Sequence, residues 1–422
     1  MTGQQQLRVY HTLDELQSLR SEWDRLLLEY PPATTFSTYD WLANWWRSFG
    51  DRRQLLVLAL FDSDSLVGMA PLSISRERFA GFPIRMLRMM GDGTYDSDNL
   101  DFPVQAGYED ILADSVLNYL MQIRDSWDVC VLNTLPLDSV PAKCVAERLQ
   151  TREWITFEHS TPSSSIELPA TWEEYRVRLS AEDQKNLPRY LRRLRKYYAV
   201  RIYRCTESKD LPICLEALFR LHQARWEKVG EPGSFSSPER RDFYAALSRS
   251  LLLRGALEFW ILELGGKIAA AQFAFRHKDR VFQLQEGYDP EHSSDRVGYV
   301  LRGEVLKHLI SEGVRVYDFL GGEDNYKSRW GAKTGYYHEF HFARPFTFGG
   351  ALLWSCERTR EYKRSVRETF PEAARFLRNA KRMIQKRALP VASIPGNGSR
   401  DLDRSPHDPA RGQMSEHGAE VA

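Results

Sequence analysis

Cysteine is scarce in this chain of 422 residues, and its spacing argues against two classes of protein. The five cysteines include no pair separated by two residues, and their number is odd. Zinc sites built on cysteine need such pairs, and small secreted domains need a dense, even set for disulfides. We therefore expect no disulfide framework and no metal site, and the composition fits a reducing compartment.

Long apolar runs are also lacking. No stretch of about 18 apolar residues occurs, so we expect no membrane-spanning helix. The first residues, MTGQQQ, lack the basic start and the apolar stretch of a secretory signal, which predicts a cytoplasmic protein. The charge is balanced too, because 58 basic and 57 acidic residues leave a net charge of +1. That balance indicates no particular partner, and we do not expect nucleic acid.

The chain is longer than one hydrophobic core normally supports, so two or three domains are expected. Both halves show the same order of patterns: a helix pair, a two-stranded hairpin, a further helix and a strand. The halves correspond with an offset of roughly 190–200 residues, which suggests internal duplication. Two ordinary α/β units that share an element order are the alternative.

Composition divides the chain further. The segment 158–165 is polar and rich in turn residues, which indicates a joint between an N-terminal domain at 7–155 and a second domain at 156–345. Residues 346–390 are predicted to form a basic helical extension. Residues 391–422 contain no aromatic residue and many Pro, Gly, Asp and Arg, so they bury too little apolar surface to order and are predicted to be disordered.

The most informative motif begins where a predicted buried strand, residues 314–320, ends. Gly321 and Gly322 follow directly, and glycines permit backbone angles and close approaches that other residues do not. A phenol, an ammonium and an indole then arrive within five residues, from Tyr326, Lys327 and Trp330. This pattern favours the edge of an active-site cleft. A strand-to-helix corner anchored by the tryptophan is the alternative.

A second motif lies at the end of the predicted helix 211–226. His222, Arg225 and Trp226 are three and four positions apart, so they share one helix face. Such a face suits the lining of a substrate groove. A capped helix end with the tryptophan packed in the core fits the same pattern.

The predicted strand 281–288 carries one carboxylate among apolar residues. By the two-residue period of a strand, Phe282, Leu284, Glu286 and Tyr288 point to one side. A carboxylate on such a face should have a raised pKa, as a general base working near neutral pH requires. A glutamate that reaches water or a neighbouring arginine is the alternative.

The next predicted helix begins with a candidate anion site. Free backbone N–H groups at a helix N-terminus attract anions, and Arg296 adds positive charge just before Gly298 and Tyr299. Pyrophosphate would fit there, although an ordinary helix start has the same appearance. In the first half, residues 133–136 carry no such motif. Its candidate surface is the acidic loop 91–101, for a polyhydroxy or amine substrate, with a solvated loop as the alternative.

Two stretches combine basic and apolar residues. Residues 186–198 form a predicted amphipathic basic helix that could meet phosphates, an anionic polymer or RNA, or simply face solvent. Residues 352–389 are also helical and basic in pattern. They could lie on an anionic membrane surface at the inner face of the membrane, or dock onto the protein body.

Together, the motifs 222–235 and 318–330 resemble the GNAT acetyltransferase superfamily. The resemblance is closest to a double-domain branch of the cellulose-biosynthesis type, related in fold to the Fem peptidoglycan-bridge aminoacyltransferases. It covers about residues 7–345. It implies an α/β (α+β) fold of two tandem GNAT-like domains, each a splayed mixed sheet flanked by helices, with the basic extension following.

The resemblance also implies an acyltransferase that uses acetyl-CoA or another acyl-CoA as cosubstrate. The cofactor-binding positions would be Arg296, Gly298, Tyr299, Gly321 and Gly322. Tyr326 matches the position that protonates the departing thiolate, and Glu286 is the candidate base. The acceptor site would be shaped by His222, Arg225, Trp226, Asp318, Lys327 and Trp330. The phosphate loop departs from the family pattern, because Val297 stands where the branch often has proline and Val300 replaces a small residue.

The implied reaction is N- or O-acetyl transfer to an amine or hydroxyl of a small molecule or glycan, in exopolysaccharide or envelope biosynthesis. The N-terminal domain would be non-catalytic or bind the acceptor. Two alternatives stay open. One is Fem-like aminoacyl transfer from charged tRNA, and the other is a non-catalytic accessory protein of a polysaccharide-synthesis machine.

Overall fold

The computed structural model describes residues 4–94, 96–227, 230, 233–322 and 325–369. The predicted tail 391–422 and the extension after residue 369 lie outside the described residues. Within the described ranges, twelve strands form one sheet. The strands are β1 (Gln5–Tyr10), β2 (Arg53–Asp62), β3 (Ser65–Phe79), β4 (Phe82–Met89), β5 (Val129–Pro136), β6 (Ile155–Glu167), β7 (Val200–Arg204), β8 (Leu257–Leu264), β9 (Lys267–His277), β10 (Arg280–Tyr288), β11 (Val316–Gly321) and β12 (Lys333–Ala343).

Helices cover both faces of this sheet. They are α1 (Leu13–Gln17), α2 (Arg20–Glu29), α3 (Tyr39–Phe49), α4 (Glu109–Gln122), α5 (Val140–Thr151), α6 (Trp172–Arg178), α7 (Ala181–Tyr197), α8 (Leu211–Glu227), α9 (Pro238–Leu253), α10 (Val297–Ser311), α11 (Asn325–Arg329) and α12 (Phe348–Thr369). Among the described residues, every helix is too short or too polar to cross a lipid bilayer.

The strand order reveals the predicted duplication. It runs β1-β2-β3-β4-β5-β12-β6-β11-β10-β9-β8-β7, so β1 to β5 of the first half correspond to β7 to β11 of the second. In each half one pair is parallel, β4 with β5 and β10 with β11, and each is registered over only three residues before the strands part. This confirms the predicted α/β class, with a splayed mixed sheet in each half.

The two halves exchange their last strands. β6 follows β5 in the chain but pairs with β11, whereas β12 follows β11 but pairs with β5. β6 and β12 then pair with each other from Lys333 to Ala343. The prediction of turns at 158–165 is therefore wrong, and the domain boundary placed there stays a prediction. That polar segment is part of a central strand, because two neighbours supply its backbone hydrogen bonds and side-chain composition does not report them.

One aromatic core joins the halves. Trp41 of α3 packs edge-on against Phe243 of α9 with ring centroids 5.5 Å apart, and Phe36 packs against Phe275 and Phe282. These residues belong to one buried cluster that spans both halves. A second cluster lies under α10, built around Val305, Leu306 and neighbouring apolar residues. The site described below lies beside that second cluster.

The acidic loop 91–101 lies between the halves. Asp96 pairs with Arg240 of α9 at 2.9 Å, and Asn99 donates to the Tyr337 hydroxyl of β12 at 3.1 Å. Most of the loop's described polar residues are buried, so the solvated-loop alternative is wrong. The carboxylates of Asp96 and Asp98 accept from Arg240 and the Gly321 amide of the other half, which a single sequence does not reveal. The loop ties the two halves together.

Candidate functional site

A β-bulge in β10 decides which side chains face the parting strands. The register against β9 slips at Leu284, which has no cross-strand partner of its own. Arg302 consequently contacts Gln283 and Glu286 together, at 3.3 Å from Gln283 Oε1, whereas Phe282 lies in the aromatic core. The expectation that Phe282, Leu284 and Glu286 share one face is therefore wrong, because the two-residue period does not survive an inserted residue.

Arg302 is the buried charge at the centre of the site, 4% exposed. It pairs with Glu286, and its guanidinium carbon lies between 5.1 and 5.8 Å from the rings of Phe319, Tyr326 and Trp330. The carboxylate and the ring faces offset the cost of burying the cation. Arg302 is not among the predicted site residues. An arginine within the apolar face of a predicted helix was the available signal.

Glu286 is engaged by two guanidiniums. Besides Arg302, the Arg225 side chain of α8 lies 3.8 Å from Glu286 Oε1 and packs over the Tyr288 ring at 5.8 Å. The carboxylate is thus a partner of neighbouring arginines, which was the alternative to a free general base. Its role as a general base stays a prediction.

Tyr326 lies on α11, beside the same helix that carries the predicted anion site. Its ring is 5.1 Å from the Arg302 guanidinium and edge-on to Phe319 at 6.2 Å. Arg302 follows Gly298 by four residues on α10, which is about 6 Å along the helix axis. A Cβ on Gly298 would lie 3.4 Å from the Tyr288 ring at the end of β10. The predicted acid, base and anion-binding turn therefore gather around one helix.

The start of α10 borders a groove of about 700 Å³. Its lining residues come from α7 and from the turn before α10 and are Arg189, Tyr190, Arg193, Ser293, Ser294 and Arg296. Arg296 has a left-handed backbone, φ 58°, which turns the chain into the helix. Three guanidiniums, from Arg189, Arg193 and Arg296, thus surround one groove, which we call the arginine groove. The hydrogen bond from Arg189 lowers the pKa of Tyr190. The basic stretch predicted at 186–198 contributes two of these arginines.

Tyr299 faces α7 and α11. Its hydroxyl donates to Asp183 at 2.6 Å, and Arg329 donates to the same carboxylate oxygen at 2.6 Å while its guanidinium lies over the Tyr299 ring. Trp330 packs on Tyr299 with ring centroids 4.9 Å apart and is 2% exposed. This position favours the anchoring interpretation of Trp330 over substrate contact.

The glycine pair forms a braced turn. Lys327 is buried and donates to the carbonyl oxygens of Gly321 and Gly322 at 2.9 and 2.8 Å. The Gly321 amide donates at 2.8 Å to Asp98 from the first half, and burial raises the pKa of Asp98 to about 6. Gly322 has φ 92°, where a side chain would be strained. The first half therefore helps to shape the end of β11.

Asp318 serves the same turn. Its carboxylate accepts from the Leu320 amide at 2.8 Å and lies 3.5 Å from Arg280. Burial raises its pKa. Asp318 and Lys327, predicted to shape the acceptor site, both bond to the backbone at this strand end.

The three residues predicted on α8 do lie together. Trp226 Nε1 donates to His222 Nε2 at 3.0 Å, and burial lowers the pKa of His222 to about 4, so its ring is neutral at neutral pH. A Cβ on Gly287 would lie 2.6 Å from the His222 backbone nitrogen. Gly287 thus permits α8 to press against the end of β10, which brings Arg225 to Glu286.

Comparisons with known proteins concern the fold and one stretch of the sequence. No curated protein matches the chain. The fold is similar to that of FemX, at 11% identity and a TM-score of 0.54, over 80% of this chain and 97% of FemX. A tandem GNAT protein from the clavulanic acid biosynthesis pathway, of 13% identity, gives a TM-score of 0.43 over 80% and 98% of the two chains. L-PGS from Bacillus licheniformis, of 10% identity, gives 0.46 over 82% and 96%. Residues 181–328 of this chain, which contain the site described above, match the family model of the acetyltransferase (GNAT) domain.

Proposed function

We propose that this protein is an acyltransferase that binds an acyl-CoA between the parting strands β10 and β11. The observation that carries the proposal is the position of α10. Its N-terminus borders the arginine groove, and its next turn carries Arg302 beside Tyr326. The N-terminal turn suits the pyrophosphate of a CoA thioester, and the turn after it suits the reacting group. The match of residues 181–328 to the GNAT domain supports this assignment.

The chain's own groups would divide the chemistry as follows. Arg189, Arg193 and Arg296 attract the phosphates, and backbone donors freed by the bulge at Leu284 stabilise the thioester oxygen. The acceptor amine or hydroxyl attacks the carbonyl carbon, the carbon–sulfur bond breaks, and Tyr326 gives its proton to the departing thiolate. The proton that the acceptor loses passes to Glu286, the predicted base, and returns through solvent to the Tyr326 phenolate, so the products are the acylated acceptor and the free thiol. The Arg302 cation beside the ring stabilises the negative phenolate.

Calorimetry with acetyl-CoA tests the binding step. We expect Arg189→Ala to weaken binding by about 10-fold, the equivalent of about 1.4 kcal/mol, because one charged phosphate contact is lost. Arg192→Ala is the matched control, since Arg192 lies on the same helix but does not line the groove. Wild-type protein that binds neither CoA nor acetyl-CoA would overturn the proposal.

The likeness to FemX favours a second candidate, aminoacyl transfer from charged tRNA. The arginine groove would then meet RNA phosphates instead of pyrophosphate. This candidate would be favoured if the protein bound tRNA with an affinity that falls steeply with salt and showed no binding in the CoA titration.

For the acceptor and the cellular setting we propose a small-molecule or glycan amine or hydroxyl, in polysaccharide or envelope biosynthesis. Contact with the inner face of the membrane is part of the proposal, because α12 docks through buried Leu353 and exposes Trp354, Tyr362 and Val366 beside Arg358. Sedimentation of the full chain with anionic vesicles, compared with Trp354→Ser, tests this contact. Vesicle binding without CoA binding would favour the accessory-protein alternative.

A further inference from the structure

Three ionisable side chains meet where α12 crosses the exchanged strands. They are His159 of β6, His341 of β12 and Glu357 of α12, and their ligand-capable atoms lie within 4.8 Å of one another. His159 Nε2 is 3.2 Å from one carboxylate oxygen of Glu357, and His341 Nδ1 is 3.3 Å from the other. None of these residues belongs to the acyltransferase site proposed above.

The cluster is built inside the protein. The side chains of His341 and Glu357 are 5% and 4% exposed. A buried carboxylate is costly unless a cation faces it, and a neutral imidazole supplies no charge. His341 Nε2 is also buried without a hydrogen-bond partner among the described residues. In the structure the cation that faces Glu357 is the Arg360 guanidinium, 3.2 Å from Oε1, which comes from the solvent side of the cluster.

We propose that His159, His341 and Glu357 bind a divalent transition metal ion of the zinc type. Two imidazole nitrogens and a carboxylate oxygen are a donor set that such ions prefer. Zinc bonds of about 2.1 Å in a tetrahedron place neighbouring ligand atoms about 3.4 Å apart. Each histidine nitrogen already has that spacing to one of the two Glu357 oxygens, and the three ligand atoms, all within 4.8 Å of one another, need to draw together only slightly.

Arg360 marks the place of the cation. Its Nη1 lies 3.1 Å from His159 Nε2 and 3.2 Å from Glu357 Oε1, so a guanidinium contacts two of the three ligands that the ion would bind. The Arg360 side chain is 44% exposed and can turn out into solvent. His159, 24% exposed, borders the access to the cluster. The metal ion and the guanidinium therefore compete for one position.

Glu339 supplies an outer partner. Its carboxylate lies 3.9 Å from His341 Nε2, the nitrogen that faces away from Glu357. When Nδ1 binds the ion, Nε2 carries the proton and points to this carboxylate, which is the usual way of orienting a metal-bound histidine. The ion would tie α12 to the two central strands, a structural role apart from catalysis. Cysteine spacing could not predict such a site, because its ligands are distant in sequence.

The test uses the full chain without a polyhistidine tag, stripped of metal by a chelator. We expect the protein to take up one equivalent of Zn²⁺ in competition with a chromophoric chelator. With Co²⁺ it should show the intense visible absorption bands of a tetrahedral site. His159→Gln and Glu357→Gln should each weaken Zn²⁺ by at least about 10-fold, and Glu339→Gln by about 10–100-fold. His338→Gln is the matched control, because His338 lies on the other face of β12, stacked on Phe340.

Arg360→Ala gives the sharpest outcome. It keeps every ligand and removes the competing cation, so Zn²⁺ should bind more tightly than to wild type. If a ligand variant fails to fold, the proposal can still be tested, because Zn²⁺ binding can be measured on wild type and Arg360→Ala. Absence of stoichiometric Zn²⁺ and of the Co²⁺ bands in both proteins would overturn it, as would equal Zn²⁺ affinity of Glu357→Gln and wild type.

Discussion

At the scale of single residues, Arg302 carries the largest energetic consequence. It is a buried cation whose partner Glu286 is itself mostly shielded, and such pairs matter more when one member is removed than when both are. The ring faces around the guanidinium fix its orientation. The residue therefore links the stability of the cleft to its chemistry.

Replacing Arg302 with Met should destabilise the protein by about 3 kcal/mol, because Glu286 is left without its main cation. Arg225→Met should cost less than about 1 kcal/mol, since that pair is longer and more exposed. Urea unfolding measures both. The double variant Arg302→Met with Glu286→Gln should be more stable than Arg302→Met alone, and the opposite order would contradict the pairing.

Replacing Tyr326 with Phe should lower kcat by about 10²–10⁴-fold, because the thiolate loses its proton donor. Acetyl-CoA affinity should be unchanged, since the proposed phosphate site lies one turn away, at the N-terminus of α10. Steady-state kinetics with the acceptor measures this, with Tyr336→Phe on β12 as the exposed control. Equal kcat for Tyr326→Phe and wild type would remove Tyr326 from the mechanism.

The lowered pKa of His222 predicts that the stability of the protein depends on pH. Its pKa is about 4 when folded and about 6.5 when unfolded, so the unfolded chain binds the proton first as the pH falls. The His222 contribution is complete above pH 6.5 and is lost towards pH 4, up to about 3 kcal/mol. The raised pKa of Asp98 changes stability with pH in the opposite direction, so the pH dependence of the wild type alone does not isolate His222. The difference between wild type and His222→Gln, followed by urea unfolding from pH 4 to 7, isolates the effect, with His338→Gln as control.

At the scale of elements, the bulge of β10 and the seating of α8 on Gly287 decide the geometry of the cleft. Gly287→Ala should destabilise the protein by about 1–3 kcal/mol, because the added Cβ meets the α8 backbone, which cannot yield as a side chain would. Gly298→Ala is the control, since its Cβ would make only an ordinary contact. Thermal unfolding compares them, and equal melting temperatures would contradict the close packing of α8.

Periodicity and turn residues were enough to place most helices, the two hairpins and the strand before the glycine pair. They failed where partners distant in sequence decide the outcome. The face of Glu286 depends on a bulge fixed by pairing with β9, and the polar β6 is a strand only because β11 and β12 flank it. For the same reason the burial of Asp98 under the Gly321 amide and the role of Arg302 were not predicted, since a buried charge is recognisable only with its partner.

At the scale of the whole molecule, the exchange of β6 and β12 makes each half depend on the other. We expect one cooperative unfolding transition for the full chain, followed by circular dichroism and tryptophan fluorescence together. Residues 1–155 expressed alone should aggregate, because β5 loses β12 and exposes an open edge. A soluble, folded fragment 1–155 would instead support the predicted domain boundary as an independent folding unit.

The late position of β12 in the chain has a consequence for synthesis on the ribosome. The strand that closes the gap between β5 and β6 is translated after almost everything it must join. Until then β5 and β6 each have an unpaired strand edge in the middle of the future sheet. Unpaired edges promote aggregation of incompletely folded chains. Folding of this protein therefore ends, rather than begins, at the centre of its sheet. During synthesis the edges of β5 and β6 need protection until β12 has been made.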